Sequence, residues 1–296
     1  MASVLELIEG ASSQMQAAGL AFGQGTINAW DEAVWLVLWK LGLPLDDLDT
    51  VGPLPVSEDQ AQAVQQLIQT RITTRQPAAY LTQEAWLQGV PFFVDQRSIV
   101  PRSFIAELIA DASIDPWLHA QTRRALDLCT GNGSLAVLAA MAWPELEVDA
   151  ADVSPAALEV AAVNLQRHQL DQRIRLITSD GLTQVQGPYD LILCNPPYVN
   201  ARSMAALPPE FLAEPALALD GNTQGQDDGM DFVRPLLSTL RSHPERYLNP
   251  QGVLVLEIGN EREHFDSAFP ELEVVWLETS AGFDQVMLIT REALLK

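Results

Sequence analysis

Two cysteines, Cys129 and Cys194, are all that 296 residues contain. That count excludes a disulfide framework, and neither thiol lies at metal-ligand spacing from His119, His168, His243 or His264, so no metal site is expected. Basic residues are scarce as well: 17 Lys and Arg face 39 Asp and Glu, a net charge of −22 with a pI near 4.3. Phosphate is repelled by such a surface, which argues against bare duplex nucleic acid as a partner. A basic partner is attracted instead, or the acidity serves solubility alone. No Lys, Arg or His precedes Lys40, and the longest apolar run, Leu135 to Trp143, is far shorter than a membrane span. A soluble, cytoplasmic protein with no membrane partner is expected.

What is present is an apolar fraction of 48%, enough for one full α/β domain and a smaller accessory domain. Residues 2 to 76 read as helical: Val4, Leu5, Ile8 and Met15 recur at helical spacing, Trp30 to Trp39 is strongly apolar, and Val64, Leu67, Ile68 and Ile72 share one face. Asp31 and Glu32 suit a helix N-terminus, and Pro77 marks the exit. From Ala79 to Arg102 short β-like runs follow, Ala85 to Leu87, Pro91 to Val94 and Ser98 to Val100, with a turn at Gln88-Gly89. The expected organisation is a helical domain over 1–78, a β-hairpin linker over 79–103 and an α/β domain over 104–296.

Within that last part, strands are expected at Arg124 to Cys129, Leu146 to Ala151, Ile174 to Thr178, Tyr189 to Cys194 and Gly252 to Ile258, with helices near Ser134 to Trp143, Ser154 to Gln169 and Met230 to Ser242. Alternation of this kind builds a parallel sheet covered on both faces. The last two strands, near Glu273 to Glu278 and Gln285 to Thr290, are joined without room for a crossover helix and must pair antiparallel.

Asp127-Leu128-Cys129-Thr130-Gly131-Asn132-Gly133-Ser134 leaves a strand, turns on glycines and opens a helix. A ligand can approach backbone amides there, where side chains at Gly131 and Gly133 would intrude. Asp152 follows the second strand 21 residues after Gly131, placed for ribose hydroxyls, and Ser179-Asp180-Gly181 follows the third, placed for an adenine edge. Gly131, Gly133 and Ala136 equally satisfy a dehydrogenase fingerprint, which keeps NAD open as the ligand, and Asp180 equally suits a helix cap.

Asn195-Pro196-Pro197-Tyr198 ends the strand Asp190 to Cys194, on the ligand side of such a sheet. An amide nitrogen is a poor nucleophile because its lone pair is delocalised. Two acceptors that take its N–H bonds can turn that lone pair toward an electrophilic methyl group. The side-chain carbonyl of Asn195 and the backbone carbonyl of Pro196 supply them, and the fixed φ of Pro196 and Pro197 preorganises them. Tyr198 offers an aromatic wall for a flat acceptor or for a sulfonium. Asn195, Pro196 and Tyr198 are the catalytic candidates, and alignment rather than a strong base carries the chemistry. Cys129 and Cys194, at the ends of neighbouring strands, read as reduced core thiols.

These segments resemble those of the protein N5-glutamine methyltransferases of the HemK type over nearly the whole chain: Ala79-Tyr80-Leu81-Thr82, Val100-Pro101-Arg102-Ser103, Asp127 to Gly133, Asn195 to Tyr198 and Glu214 to Leu219. Gly25 to Ala33 and Trp86 to Gly89 are similar to the branch that methylates large-subunit ribosomal protein three rather than peptide release factors. The resemblance implies a class I, Rossmann-like methyltransferase fold: a seven-stranded, mostly parallel sheet with an antiparallel last strand, plus an N-terminal helical substrate-recognition domain. It also implies S-adenosylmethionine as cofactor, held by Asp127, Thr130, Gly131, Gly133, Asp152, Asp180 and Asn195. Asn195, Pro196, Pro197 and Tyr198 would hold the glutamine, and a basic ribosomal protein would be the substrate, with no stable nucleic-acid partner. Arg102 and Glu107 shape the cofactor pocket or form a linker salt bridge. Two departures stand out: Gly221 to Gly229 is longer than the usual glycine-aspartate loop, which leaves Asp227, Asp228 and Gly229 without a clear substrate role, and Gly181 stands where release-factor enzymes often carry an aromatic residue beside the adenine. A release-factor methyltransferase, a DNA or RNA adenine amino-methyltransferase acting on a flipped base, an NAD-dependent dehydrogenase and a non-catalytic assembly factor are the alternatives.

Overall fold

The computed structural model describes residues 2–296. The first helix, α1 (Val4–Ala17), starts at a capping box in which the Ser3 side chain takes the Glu6 amide and Glu6 returns to the Ser3 amide. Asn28 caps α2 (Ala29–Leu41), and Gly42, at φ +67°, ends it. After the short α3 (Leu48–Val51), a second capping box, Ser57 with Gln60, opens α4 (Glu58–Thr74). Ile8, Met15, Leu36, Val37 and Ile68 from these helices close one apolar core separate from that of the sheet. Each such side chain contributes roughly 1.5–3 kcal/mol by leaving water.

The stretch expected as a hairpin linker begins with one helical turn, α5 (Ala78–Thr82), before β1 (Ala85–Leu87) and β2 (Val90–Phe92) pair antiparallel. Gln88 and Gly89 both have positive φ, the two-residue turn that matches hairpin twist. Ser98 to Val100 is not a strand. Its polar backbone is drawn to side chains instead: Tyr80 donates to the Ser98 carbonyl, and the Val100 amide donates to Glu214.

Then come α6 (Phe104–Ala110), β3 (Arg124–Leu128), α7 (Ser134–Ala142), β4 (Glu147–Asp152), α8 (Pro155–Arg167), β5 (Ile174–Thr178) and β6 (Tyr189–Cys194). The short α9 (Ala201–Ala205) and α10 (Pro209–Leu212) precede α11 (Val233–Ser242) and α12 (Pro244–Tyr247). The chain closes with β7 (Leu248–Glu257), α13 (Arg262–Ala268), β8 (Val275–Thr279), β9 (Gly282–Thr290) and α14 (Arg291–Leu294). The seven strands lie in the order β5-β4-β3-β6-β7-β9-β8; β3 to β7 are parallel, and β9 runs antiparallel to both β7 and β8. Alternate residues face opposite layers, as the pleat requires: Leu191, Leu193, Val253 and Val255 pack toward α6 and α7, whereas Ile192, Cys194, Leu254 and Leu256 pack toward α11. β7 begins four residues earlier than its apolar run suggests, because Leu248 pairs with Tyr189 across an irregularity in register. Among the described residues no helix is long and apolar enough to cross a membrane.

Candidate active site

A cavity of about 340 Å³ opens at the carboxyl ends of β3, β4, β5 and β6, walled by Gly131, Asp152, Asp180, Asn195, Pro197 and Leu217 among others. A larger, more open depression of about 780 Å³ lies at the amino ends of the strands. Its cations are already engaged: Arg124 and Arg175 pair with Asp149, and Arg173 donates to the carbonyls of Ala140, Trp143 and Leu146. The smaller cavity gathers the candidate residues, on the side where parallel sheets place ligands.

Between β3 and α7 the backbone turns through positive φ at Cys129, Gly131 and Gly133. A Cβ on Gly131 would meet no atom of the chain within 4 Å, so this glycine keeps open space on the cavity wall. Gly133 serves a different need: its Cβ would lie 3.1 Å from that of Ala161, so its bare backbone lets α7 start against α8. Asp152 accepts from the amides of Gly131 and Ser154, both at 2.9 Å, one on each oxygen, which ties the glycine turn to the end of β4. Burial holds the Asp152 carboxyl above its ordinary range. Asp127 lies behind the wall. One oxygen takes Thr130 Oγ1 at 2.5 Å and the Ala136 amide at 3.0 Å, while Oδ1 is buried without a partner among the described residues. Burial pushes the Asp127 carboxyl up to about 7. Asn132 Nδ2 and Ser98 Oγ, buried on residues that line the cavity, likewise lack partners.

On the opposite wall, Asn195 donates from Nδ2 to the Arg102 carbonyl at 3.3 Å. That bond orients the amide and leaves Oδ1 as an acceptor. Pro196 is buried and Pro197 lines the cavity. Tyr198 lies off the wall: its ring rests on Gly259, where a Cβ would come within 2.5 Å of Cε2, and its hydroxyl donates to Glu257 Oε1 at 3.3 Å. The structure thus gathers Thr130, Gly131, Asp152, Asp180, Asn195 and Pro197 around one space, and sets Asp127, Gly133, Pro196 and Tyr198 one layer behind it.

Arg102 was expected, with Glu107, at the cofactor pocket or in a linker salt bridge; its partner is Glu214. Arg102 lines the cavity and forms a two-pronged pair with Glu214, 2.7 Å in each prong, beneath the Phe211 ring. Glu107 is no part of the pocket; it holds the Ser280 amide and hydroxyl at 2.9 and 2.7 Å. The long loop braces the segment that follows Asn195. Asn222 donates to the Val199 carbonyl, Ala201 donates to the Asp227 carbonyl, and a Cβ on Gly229 would strike the Tyr198 carbonyl at 2.1 Å. Asp228 is paired with Arg234, which holds its carboxyl below the ordinary range. The neighbouring Cys194 thiol, together with burial, holds the Cys129 thiol well above its ordinary range.

Sequence reasoning missed Glu257 and gave Glu214 no role. Glu257 is nearly inaccessible and takes Ser103 Oγ at 2.5 Å, the Phe104 and Ile105 amides at 3.0 and 3.4 Å, and Tyr198. Its signal was legible: an acid directly after the apolar run Val253 to Leu256, at the ligand end of a buried strand.

Residues 112–224 match the family model described as Methyltransferase small domain. A Bordetella pertussis protein named ribosomal protein uL3 glutamine methyltransferase is 51% identical over 292 residues, covering 98% of this chain and 95% of that one. The protein of the same name from Neisseria gonorrhoeae is 45% identical over 297 residues, covering 100% and 96%. Among solved structures, the hMettl16 catalytic domain in complex with a MAT2A 3'UTR hairpin superposes with a TM-score of 0.51 at 13% identity, covering 78% of this chain and 81% of that one. That likeness speaks for the fold alone. With near-complete coverage at such identity, the chain belongs to the ribosomal protein uL3 glutamine methyltransferase family.

Proposed function

We propose that the protein transfers the methyl group of S-adenosylmethionine to the side-chain amide nitrogen, N5, of a glutamine in large-subunit ribosomal protein uL3. One observation carries the reading: Asn195, its amide oriented by the Arg102 carbonyl, lines the same cavity as Gly131 and Asp152. The nucleotide side fits the cofactor. Gly131 leaves room for a ligand against its backbone, Asp152 and Asp180 offer carboxylates to hydroxyl and amino donors, and the unpartnered Asn132 and Ser98 suit a polar tail. Thr130, Gly131, Asp152 and Asp180 hold it directly; Asp127 and Gly133 act from behind by fixing the turn. When bound, the cofactor supplies a methyl group activated by positive sulfur.

Asn195 Oδ1 accepts one N–H bond of the glutamine amide, the carbonyl of Pro196, between the wall residues Asn195 and Pro197, accepts the other, and the pair turns the lone pair toward that methyl group. With that methyl group in line, the nitrogen would pass one proton to water as its new bond to carbon forms, and the sulfur would leave as a neutral thioether. A fixed acceptor pair costs no reorganisation at that moment. The surface charge of −22 draws a basic ribosomal protein and speeds its encounter. Residues 1–78, with a core of their own, form the recognition part, and the cytoplasm, where uL3 is made, is the site of action. Radiolabelled methyl transfer into purified unassembled uL3, release factors and ribosomal RNA side by side tests this. Label in uL3, recovered as N5-methylglutamine, is expected; label in a release factor or in RNA overturns it.

A further inference from the structure

Glu257 sits where three parts of the molecule meet. Its carboxylate ends β7, is 2% exposed, and faces four donors: Ser103 Oγ, the amides of Phe104 and Ile105, and the Tyr198 hydroxyl. Ser103 is the N-cap of α6 and donates its hydroxyl to Glu257 while receiving the Ile105 amide. The residue before it, Arg102, supplies the carbonyl that holds Asn195 Nδ2. Asn195 and Tyr198, the two ends of the acceptor loop, are therefore tied to one anchor by two routes.

We propose that Glu257 is a positioning residue for methyl transfer: this single buried carboxylate fixes Tyr198 directly, and Asn195 through the Arg102–Ser103 turn. The inference rests on the reading of Asn195 to Tyr198 as the acceptor site. Glu257 does not touch substrate, so its effect runs through loop geometry. Four donors demand an acceptor on every side, and no neutral side chain of the same shape meets all four. In Glu257→Gln the amide oxygen stays with Ser103, Phe104 and Ile105, whose two amides can only donate. The amide NH2 then faces Tyr198, whose hydroxyl must turn to accept. The α6 anchor survives and the Tyr198 anchor changes character, which makes the glutamine variant a selective probe.

The test compares Glu257→Gln, Tyr198→Phe and the double variant in the full-length protein. The readouts are methyl transfer into uL3, calorimetric binding of S-adenosylmethionine, and hydrogen exchange at the Val199 and Ala201 amides. Each single variant is expected to lower kcat about ten- to a hundredfold, the span set by a hydrogen bond to a charged group, with cofactor Kd within about twofold. The double variant should be no slower than the slower single, because both changes cut the same tie. Losses that multiply, or kcat unchanged in either single, overturn the proposal. Glu107→Gln loosens α6 from its contact with Ser280 instead and should leave kcat unchanged; an equal loss there would mean general loosening and also overturn it. Exchange needs no substrate. It should quicken in both singles and no further in the double, and unchanged exchange overturns the proposal whichever protein is methylated. Wild-type protein that leaves uL3 unlabelled while the exchange pattern holds overturns the functional reading alone.

Discussion

Asn195 and Asp152 line one cavity, and in the proposed reaction they do different work. Asn195→Ala removes an acceptor for the glutamine amide and is expected to abolish turnover with little change in cofactor Kd. Asp152→Ala removes a carboxylate from the nucleotide wall and frees the amides of Gly131 and Ser154, so it should weaken the cofactor by tenfold or more and cost about 1–3 kcal/mol of stability. Calorimetry beside single-turnover rates separates the two; equal loss of cofactor binding in both would contradict the division. Two other carboxyls govern pH. Burial pushes both Asp127 and Glu257 up to about 7, against ordinary values of 3.8 and 4.5. Between about 4.5 and 7 the folded chain holds protons that the unfolded chain has released, so stability falls as pH rises through that window. The slope is at most roughly 1.4 kcal/mol per pH unit for each group. Asp95 and Asp228, lowered by Arg97 and Arg234, act in the opposite sense but only as pH falls through their own range, below about 4. The melting temperature is therefore expected to be higher at pH 6 than at pH 8, and less so in the Asp127→Asn, Glu257→Gln double variant.

At the scale of elements, two glycines in one turn carry different burdens. Gly131→Ala keeps its surroundings clear but forces alanine to φ +56°, costing about 1–2 kcal/mol, and its methyl projects toward the ligand space. Gly133→Ala meets Ala161 and Leu165 at 3.1 and 3.4 Å at φ +81° and must push α7 off α8. Cofactor affinity should therefore fall further in Gly131→Ala, and the melting temperature further in Gly133→Ala; the reverse order would refute the assignment. Both glycines were visible in the sequence as one motif. Their separate roles were not, because α8 approaches Gly133 from 28 residues further along the chain. Ser98 to Val100 shows the same gap between local pattern and outcome: its residues suit a strand, yet Glu214 and Tyr80 claim its polar backbone.

Across the whole molecule, the helical region and the sheet domain meet at a buried charge cluster. Arg71, 1% exposed, pairs with Glu32 at 2.8 Å and approaches Glu210, which also holds Arg75 at 2.9 Å. Glu210 stands on α10, next to Phe211, whose ring lies against Arg102 at the cavity. The N-terminal helices and the cavity wall thus share one short segment. Glu210→Ala leaves Arg75 with the Gly19 and Ala18 carbonyls and Arg71 with Glu32 and the Ala21 carbonyl, and should cost roughly 1.5–3 kcal/mol, the range for a hydrogen bond to a charged group. The denaturant midpoint measures it, and an unchanged midpoint would show that the cluster holds nothing together.

Local chemistry determined a good deal. Periodicity gave the helices of the first 76 residues and the alternation of strand and helix after residue 104, and a loop too short for a crossover required the antiparallel end of the sheet. Asn195, Gly131 and Asp152 were legible as neighbours because each lies at or just past the end of a strand, where the pleat and the crossover rule send it to one edge. What tertiary structure alone decided is who stands behind them. Tyr198 turned from the cavity to Glu257, Glu107 went to Ser280, and Glu214 closed on Arg102, each pairing residues 59 to 173 positions apart. No periodicity encodes such a partner. A buried charge takes whichever donor the packing brings within reach, and only the folded chain determines which one that is.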